Sequence, residues 1–261
     1  MIILKDKKDI KFAPESFLKN DEWESHGQYD SLNFINKDVK VLSVQFSTVG
    51  EKSYRAFPNL EWIIVRQHGY DNVNLEECEK RNIGVVTTKP FAQSTADWIN
   101  SFIEETDNVA LIGHGSIGSK VKANNIHSFL RENNYSNLKD FDTLVVTVPP
   151  RGNDKLIGEN ILSNFKGKLI SVSRSDVIDN KALLDNIDNI SHAYIDTLGD
   201  EYRKELLDTS KVTYTKHTAF EYGFSYENNI TYFKDLEKQI KDCLDDLVLR
   251  PVLRRSERVM F

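Results

Sequence analysis

Cysteine is nearly absent from this 261-residue chain: Cys78 and Cys243 are the only two, and neither belongs to a C-x-x-C pair. That argues against a disulfide framework and a zinc site, and fits a reducing, cytoplasmic setting. Long hydrophobic runs are missing as well. No apolar stretch approaches the ~20 residues that a membrane helix needs. The start, Met1-Ile2-Ile3-Leu4-Lys5-Asp6-Lys7-Lys8, meets charge too early for a signal peptide. Positive charge is in deficit, with a net charge of −6, so no general attraction to nucleic acid or to an anionic membrane is expected. The one basic cluster, Arg250, Arg254, Arg255 and Arg258, reads as a solvated chain end. Internal repeats and low-complexity tracts are lacking too.

Short apolar runs alternate with longer amphipathic stretches, the pattern of an α/β protein with mostly parallel strands. Strands are expected at Val39–Val44, Trp62–Val65 and Gly84–Thr87, then at Val109–Ile112, Thr143–Val148, Leu169–Val172, His192–Ile195 and Lys211–Thr213. Apolar spacing predicts helices over Asn74–Arg81, Ala96–Glu105, Leu156–Phe165 and Lys181–Ile187, and a long one from about Asn228 to Leu249. Two Rossmann-like or flavodoxin-like parallel-sheet domains follow from this: residues 1–100 with 229–261 for substrate, and 107–228 for a dinucleotide. A ligand would sit in the cleft between them.

The apolar run Val109-Ala110-Leu111-Ile112 leads straight into Gly113-His114-Gly115-Ser116-Ile117-Gly118, a G-x-G-x-x-G. In a strand-turn-helix setting the first glycine permits the tight turn and the second lets backbone approach a pyrophosphate. The third brings helix close to strand, and the helix N-terminus supplies N–H donors, here including Ser116 and Ile117. Ser119–Ala123 is the helix expected next. The acidic residue that usually holds the ribose hydroxyls is not evident. Arg131 stands near its place, and an arginine there suits a 2′-phosphate, so NADP is expected over NAD.

Three reactive residues lie downstream: Arg174 in Val172-Ser173-Arg174-Ser175, Glu201 five residues after Asp196, and His217 in Thr215-Lys216-His217-Thr218-Ala219. A cation, a carboxylate and an imidazole behind a dinucleotide turn form a set able to move a hydride to or from a 2-oxo acid. Each alone has an ordinary explanation. Arg174 could pair with Asp176 or Asp179 at the surface, Glu201 could open a solvated helix, and His217 could be a surface residue. Their joint order is what carries the reading.

With these residues in view, the chain resembles the D-isomer-specific 2-hydroxyacid dehydrogenases over most of residues 39 to 235. Gly69-Tyr70-Asp71-Asn72-Val73-Asn74-Leu75 is similar to the family's substrate loop, and Arg81-Asn82-Ile83-Gly84-Val85 to its "rGIpV". Val146-Thr147-Val148-Pro149 resembles its cofactor-facing "HvP", and Ser173-Arg174-Ser175 its Ala-Arg-Gly. Asp196 and Glu201 match its Asp-Val-Phe-x-x-Glu spacing, and Thr215-Lys216-His217-Thr218-Ala219 its Thr-Pro-His-Ile-Ala.

The resemblance implies that His217 is the acid/base, that Glu201 orients it, and that Arg174 holds the substrate carboxylate. It also implies that backbone N–H groups around Gln67, His68 and Gly69 grip the other end of that carboxylate, with Asp196 and Pro149 near the nicotinamide. Two departures stand out. Residues 97–109 lack the longer helix and dimer-forming arm of the family, so a dimer of the usual kind is not expected. The segment from Gly118 to Phe141 is compressed, leaving little room for the elements that frame the adenosine. A non-catalytic nucleotide-sensing or partner-binding protein is therefore the competing reading, and an oxidoreductase acting on formate or a phosphonate is a third. Glu201 weighs against formate.

Overall fold

The computed structural model describes residues 2–6, 23–26, 35–45, 47–67, 69–88, 92–129, 135–150, 152–223, 234–242, 245 and 259–260. The chain divides into two compact units, Met1–Phe91 with Phe224–Phe261, and Ala92–Gly223. The first contains strands β1 (Ile2–Asp6), β2 (Trp23–His26) and β3 (Val39–Val44), helix α1 (Glu51–Ala56), β4 (Trp62–Val65), α2 (Leu75–Lys80) and β5 (Gly84–Thr87). The second runs through α3 (Ala92–Asn100), β6 (Asn108–Ile112), β7 (Asn125–Phe129), β8 (Thr143–Val146), α4 (Glu159–Leu162) and β9 (Lys168–Ser171). It continues through α5 (Asn180–Asp185), β10 (His192–Ile195), α6 (Arg203–Asp208) and β11 (Val212–Tyr214). The chain then returns to the first unit with helical residues 234–242 and strand β12 (Val259–Met260).

Among the described residues both sheets have six strands, ordered β12-β5-β4-β3-β1-β2 and β11-β10-β9-β8-β6-β7. Every pairing is parallel. Parallel strands are covered on both faces, so they read as continuous apolar runs rather than alternating ones. Trp62–Val65 and Thr143–Val146 are buried at every position. In the second unit successive residues of β6 feed opposite faces. Ala110 and Ile112 pack with Leu162, Phe165, Leu183 and Leu206 on one side, while Val109 and Leu111 meet Trp98, Ile99 and Val121 on the other.

Several sequence-based expectations need correction. The helix expected at Ala96–Glu105 lies at Ala92–Asn100 and goes with the second unit, so the unit boundary precedes Ala92. Ser101 Oγ donates to the Trp98 carbonyl at 2.7 Å, and the Asp107 carboxylate accepts from the Glu104 amide at 3.1 Å. These local bonds end the helix early.

The helix expected at Ser119–Ala123 is a single 3₁₀ turn, Gly118–Lys120. Asn100 at the end of α3 captures the chain beyond it: its Oδ1 accepts from Lys122 N at 2.9 Å and its Nδ2 donates to the Lys120 carbonyl at 3.3 Å. Val121 is thereby held extended, and α3 covers the sheet face that a crossover helix would take. The helix expected over Leu156–Phe165 shrinks to Glu159–Leu162 because Ile157 forms a parallel bridge with Ile178. Of the long helix expected from Asn228 to Leu249, residues 234–242 are helical, with Leu236 and Ile240 buried. Ile230, Phe233, Cys243 and Leu247, the other apolar residues at its three- and four-residue spacing, lie outside the described residues, as does the basic C-terminal cluster. Among the described residues no helix is long and apolar enough to cross a membrane.

Candidate active site

In an open parallel sheet, ligands bind beyond the carboxyl ends of the strands, where the strand order reverses. In the second unit that switch lies between β6 and β8, since β7 pairs on the outer side of β6. The glycine turn leaves β6 at this point. Gly113 has φ of +102°, a conformation that costs an L side chain dearly. Thr147, following β8, donates its Oγ1 to the Gly113 carbonyl at 2.6 Å and fixes the turn against the neighbouring strand. A Cβ on Gly118 would run into the Gly113 carbonyl, whereas a Cβ on Gly115 would meet nothing within 4 Å.

The first and third glycines are thus demanded by the protein's own packing. The second faces open space, which leaves it accessible to an approaching ligand. The turn therefore fits a dinucleotide pyrophosphate with Gly113, Gly115, Ser116, Ile117 and Gly118 around it, although the donors come from a 3₁₀ turn rather than an α-helix. Pro149 is exposed in the loop after β8, and its carbonyl accepts from Asn153 Nδ2 at 2.6 Å. His114 Nδ1 lies 3.3 Å from Ser128 Oγ on β7. Arg131 lies outside the described residues.

The next three strand ends bring the downstream residues together. Arg174 follows β9, Asp196 follows β10 and His217 follows β11. The Arg174 Nη1 lies 3.2 Å from His217 Nε2. Guanidinium can only donate, so in this contact the imidazole nitrogen is the acceptor. Lys216 and His217 both occupy the left-handed region, with φ of 58° and 62°. Such residues cost about 1 kcal/mol each and persist only where their surroundings hold them.

Asp196 is what holds them. Buried to 3 % exposure, it accepts from His217 N at 2.6 Å through its carbonyl. Its Oδ1 accepts from Thr215 Oγ1 at 2.5 Å and from Ala219 N at 2.9 Å. Asp176 accepts from Ser175 Oγ, and Asp179 caps α5 and pairs with Lys155, so these two carboxylates have structural work of their own.

Glu201 stands apart. Its side chain is exposed, and its backbone carbonyl accepts from Asn180 Nδ2 at 2.9 Å. Among the described residues no hydrogen bond joins its carboxylate to His217. In the first unit, Gln67 Nε2 donates to Asn72 Oδ1 at 3.3 Å. Asn72 in turn donates to the Gln45 and Ser47 carbonyls at 3.2 and 2.8 Å, tying the loops after β3 and β4. Gln67 and Gly69 are partly exposed there, and His68 lies outside the described residues. Asn180, Thr197 and Thr215 were not singled out in the sequence. A hydroxyl at residue 197, where the resembling motif has valine, was the one available signal.

The sheet order and the glycine turn at the switch point define a Rossmann-like unit. A family model for the D-isomer specific 2-hydroxyacid dehydrogenase catalytic domain matches residues 8–235, and the chain belongs to that family. No match among curated proteins is significant. Among solved structures, the chain is similar to an NADPH-dependent glyoxylate/hydroxypyruvate reductase from Sinorhizobium meliloti in complex with NADP and malonate. The identity is 20%, with a TM-score of 0.70 over 92% of each chain. It is similar to a D-lactate dehydrogenase from Aquifex aeolicus complexed with NAD and lactic acid, at 18% identity and a TM-score of 0.66 over 95% of this chain and 97% of that one. It is also similar to NAD+-bound 3-phosphoglycerate dehydrogenase of Entamoeba histolytica, at 15% identity and a TM-score of 0.72 over 100% and 99%. At these identities the likeness establishes the fold.

Proposed function

We propose that the chain reduces a small 2-oxo acid, or oxidises the matching 2-hydroxy acid, at the Arg174–His217 pair. The observation that carries this reading is the 3.2 Å approach of Arg174 Nη1 to His217 Nε2, one strand end away from the glycine turn's own neighbour. When bound, the nicotinamide supplies or accepts the hydride. His217, protonated at Nε2, gives its proton to the carbonyl oxygen, and in the reverse direction the neutral ring takes the hydroxyl proton. Arg174 holds the carboxylate and polarises the carbonyl with a planar cation that lysine cannot imitate. By the family resemblance, backbone N–H groups of Gln67, His68 and Gly69 are further donors for a substrate carboxylate.

Glu201 orients the imidazole through Nδ1 and favours its charged form. Its side chain is exposed, and Asn180 holds its backbone carbonyl. Gly113, Gly115, Ser116, Ile117 and Gly118 hold the pyrophosphate, with Pro149 and Asp196 beside the nicotinamide and Arg131 at the adenosine end. NADP is slightly favoured over NAD, because Arg131, shortly after β7 in the sequence, suits a 2′-phosphate.

The test follows loss of reduced-nicotinamide absorbance with NADH and with NADPH, offered glyoxylate, pyruvate and hydroxypyruvate in turn. Turnover with any of them establishes the reductase. Cofactor binding, seen by tryptophan fluorescence, without turnover of any oxo acid would favour a nucleotide-sensing protein, a reading that the missing crossover helix supports.

A further inference from the structure

Asp196 and Thr197 are consecutive residues, yet each reaches a different loop of the site. Asp196 continues the ladder of β10, its amide donating to the Ser171 carbonyl at 2.9 Å, so its position is set by the sheet. From there its backbone and carboxylate hold the Thr215–Ala219 turn that carries His217. Thr197 turns the other way, and its Oγ1 donates to the carbonyl of Ser173, the residue before Arg174. Ser173 is buried, at 4 % exposure, in the loop leaving β9.

We propose that Asp196-Thr197 is a clamp that sets the Arg174–His217 separation, with Thr197 the positioning residue for Arg174 and Asp196, through Thr215, the one for His217. The proposal rests on the catalytic reading above. The bond from Thr197 fixes the plane of the 173–174 peptide, and Arg174 leaves that peptide extended, at φ −67° and ψ 158°. A long side chain magnifies any rotation at its base, and a productive constellation tolerates only about 10–20°. A valine at 197, as in the resembling family motif, has the same shape but no hydroxyl, so this tie belongs to this chain.

The experiment uses Thr197→Val, Thr197→Ser and Thr215→Val, with steady-state kinetics on a 2-oxo acid and hydrogen–deuterium exchange by segment. Thr197→Val should raise KM for the oxo acid about fivefold, the weight of one hydrogen bond, and leave kcat within about twofold. Exchange should quicken over residues 173–177 and not over 214–220, and Thr197→Ser should restore both. Thr215→Val should do the reverse, lowering kcat about fivefold with faster exchange at 216–219. Unchanged exchange and KM in Thr197→Val would overturn the clamp. So would equal losses in KM and kcat for both variants, which a merely structural role would give. If wild type reduces no 2-oxo acid, the catalytic reading fails by itself. The exchange pattern then decides the clamp alone, a split supporting it and a uniform response sinking it.

Discussion

The two units of this chain share one strand order, with the first strand of each lodged between its second and third, yet their carboxyl-end edges are furnished differently. In the first unit, several described side chains beyond β3, β4 and β5 are bound to their own framework. Asn72 donates to the Gln45 and Ser47 carbonyls, Arg66 is fully buried, and Thr88 Oγ1 donates to the Val65 carbonyl at 3.3 Å. In the second unit the same edge carries an open glycine, an arginine, a buried aspartate and an exposed histidine in left-handed backbone. Topology supplies a row of strand ends, and side chains decide whether that row becomes framework or chemistry.

Breaking the second edge should therefore cost activity first. His217→Ala should lower turnover by about 10²–10⁴-fold while NAD(P)H affinity stays near wild type, as read by single-turnover kinetics and fluorescence titration. A collapse of cofactor binding in that variant would recast His217 as structural. The glycine turn separates the two kinds of cost. Gly118→Ala, forced against the Gly113 carbonyl, should destabilise the protein by about 3 kcal/mol. Gly115→Ala should leave the Tm unchanged and weaken cofactor binding instead, and equal melting losses for the two would end the distinction.

Lys216 offers a backbone test. With φ of 58° it cannot become proline without losing the turn, at a cost of about 2–3 kcal/mol, whereas Lys216→Gly should be neutral or slightly stabilising. A Lys216→Pro variant with wild-type stability would show that the turn can rearrange.

The smallest effect belongs to the opposite edge of the same sheet, away from the chemistry. Asp107 Oδ2 accepts from Lys168 Nζ and from Thr143 Oγ1, each at 2.8 Å. Burial pushes the Asp107 carboxyl up, but Lys168, the Glu104 amide and Thr143 outweigh it and hold it below its usual value. A depressed carboxylate stabilises the fold above its unfolded pKa of about 3.9, and that contribution drains away as pH falls below it. Asp107→Asn should cost about 1–2 kcal/mol at neutral pH and flatten the acid limb of the stability curve. Parallel acid limbs for variant and wild type would remove Asp107 from that role.

Legibility followed burial. The strands Val39–Val44, Trp62–Val65, Gly84–Thr87 and His192–Ile195 fall where their mostly apolar runs place them, because inner strands of a parallel sheet are largely buried. Trp23–His26 and Val259–Met260 carry no such signature, since their strand character comes from pairing with β1 and β5. Helix ends were misplaced for three reasons: a side chain from elsewhere, as Asn100 at Lys120 and Lys122, local bonds after α3, and the Ile157–Ile178 bridge before α4. In the candidate site, Arg174 and His217 were proposed from residue type and order, and the fold brings the two side chains to 3.2 Å. The roles of Thr197 and Asn180 were not, because each acts on a backbone carbonyl, which every residue has and no sequence marks.

By itself the sequence determined the fold class, the family, the glycine turn and the order of arginine, aspartate, glutamate and histidine, for all of these are written in residue types at short range. Only the tertiary structure decided that α3 covers the face a crossover helix would take, that Asp196 grips the His217 turn, and that the cation meets the imidazole. Those are distances between strand ends far apart in the chain, and the parallel sheet sets them by stacking one strand beside the next.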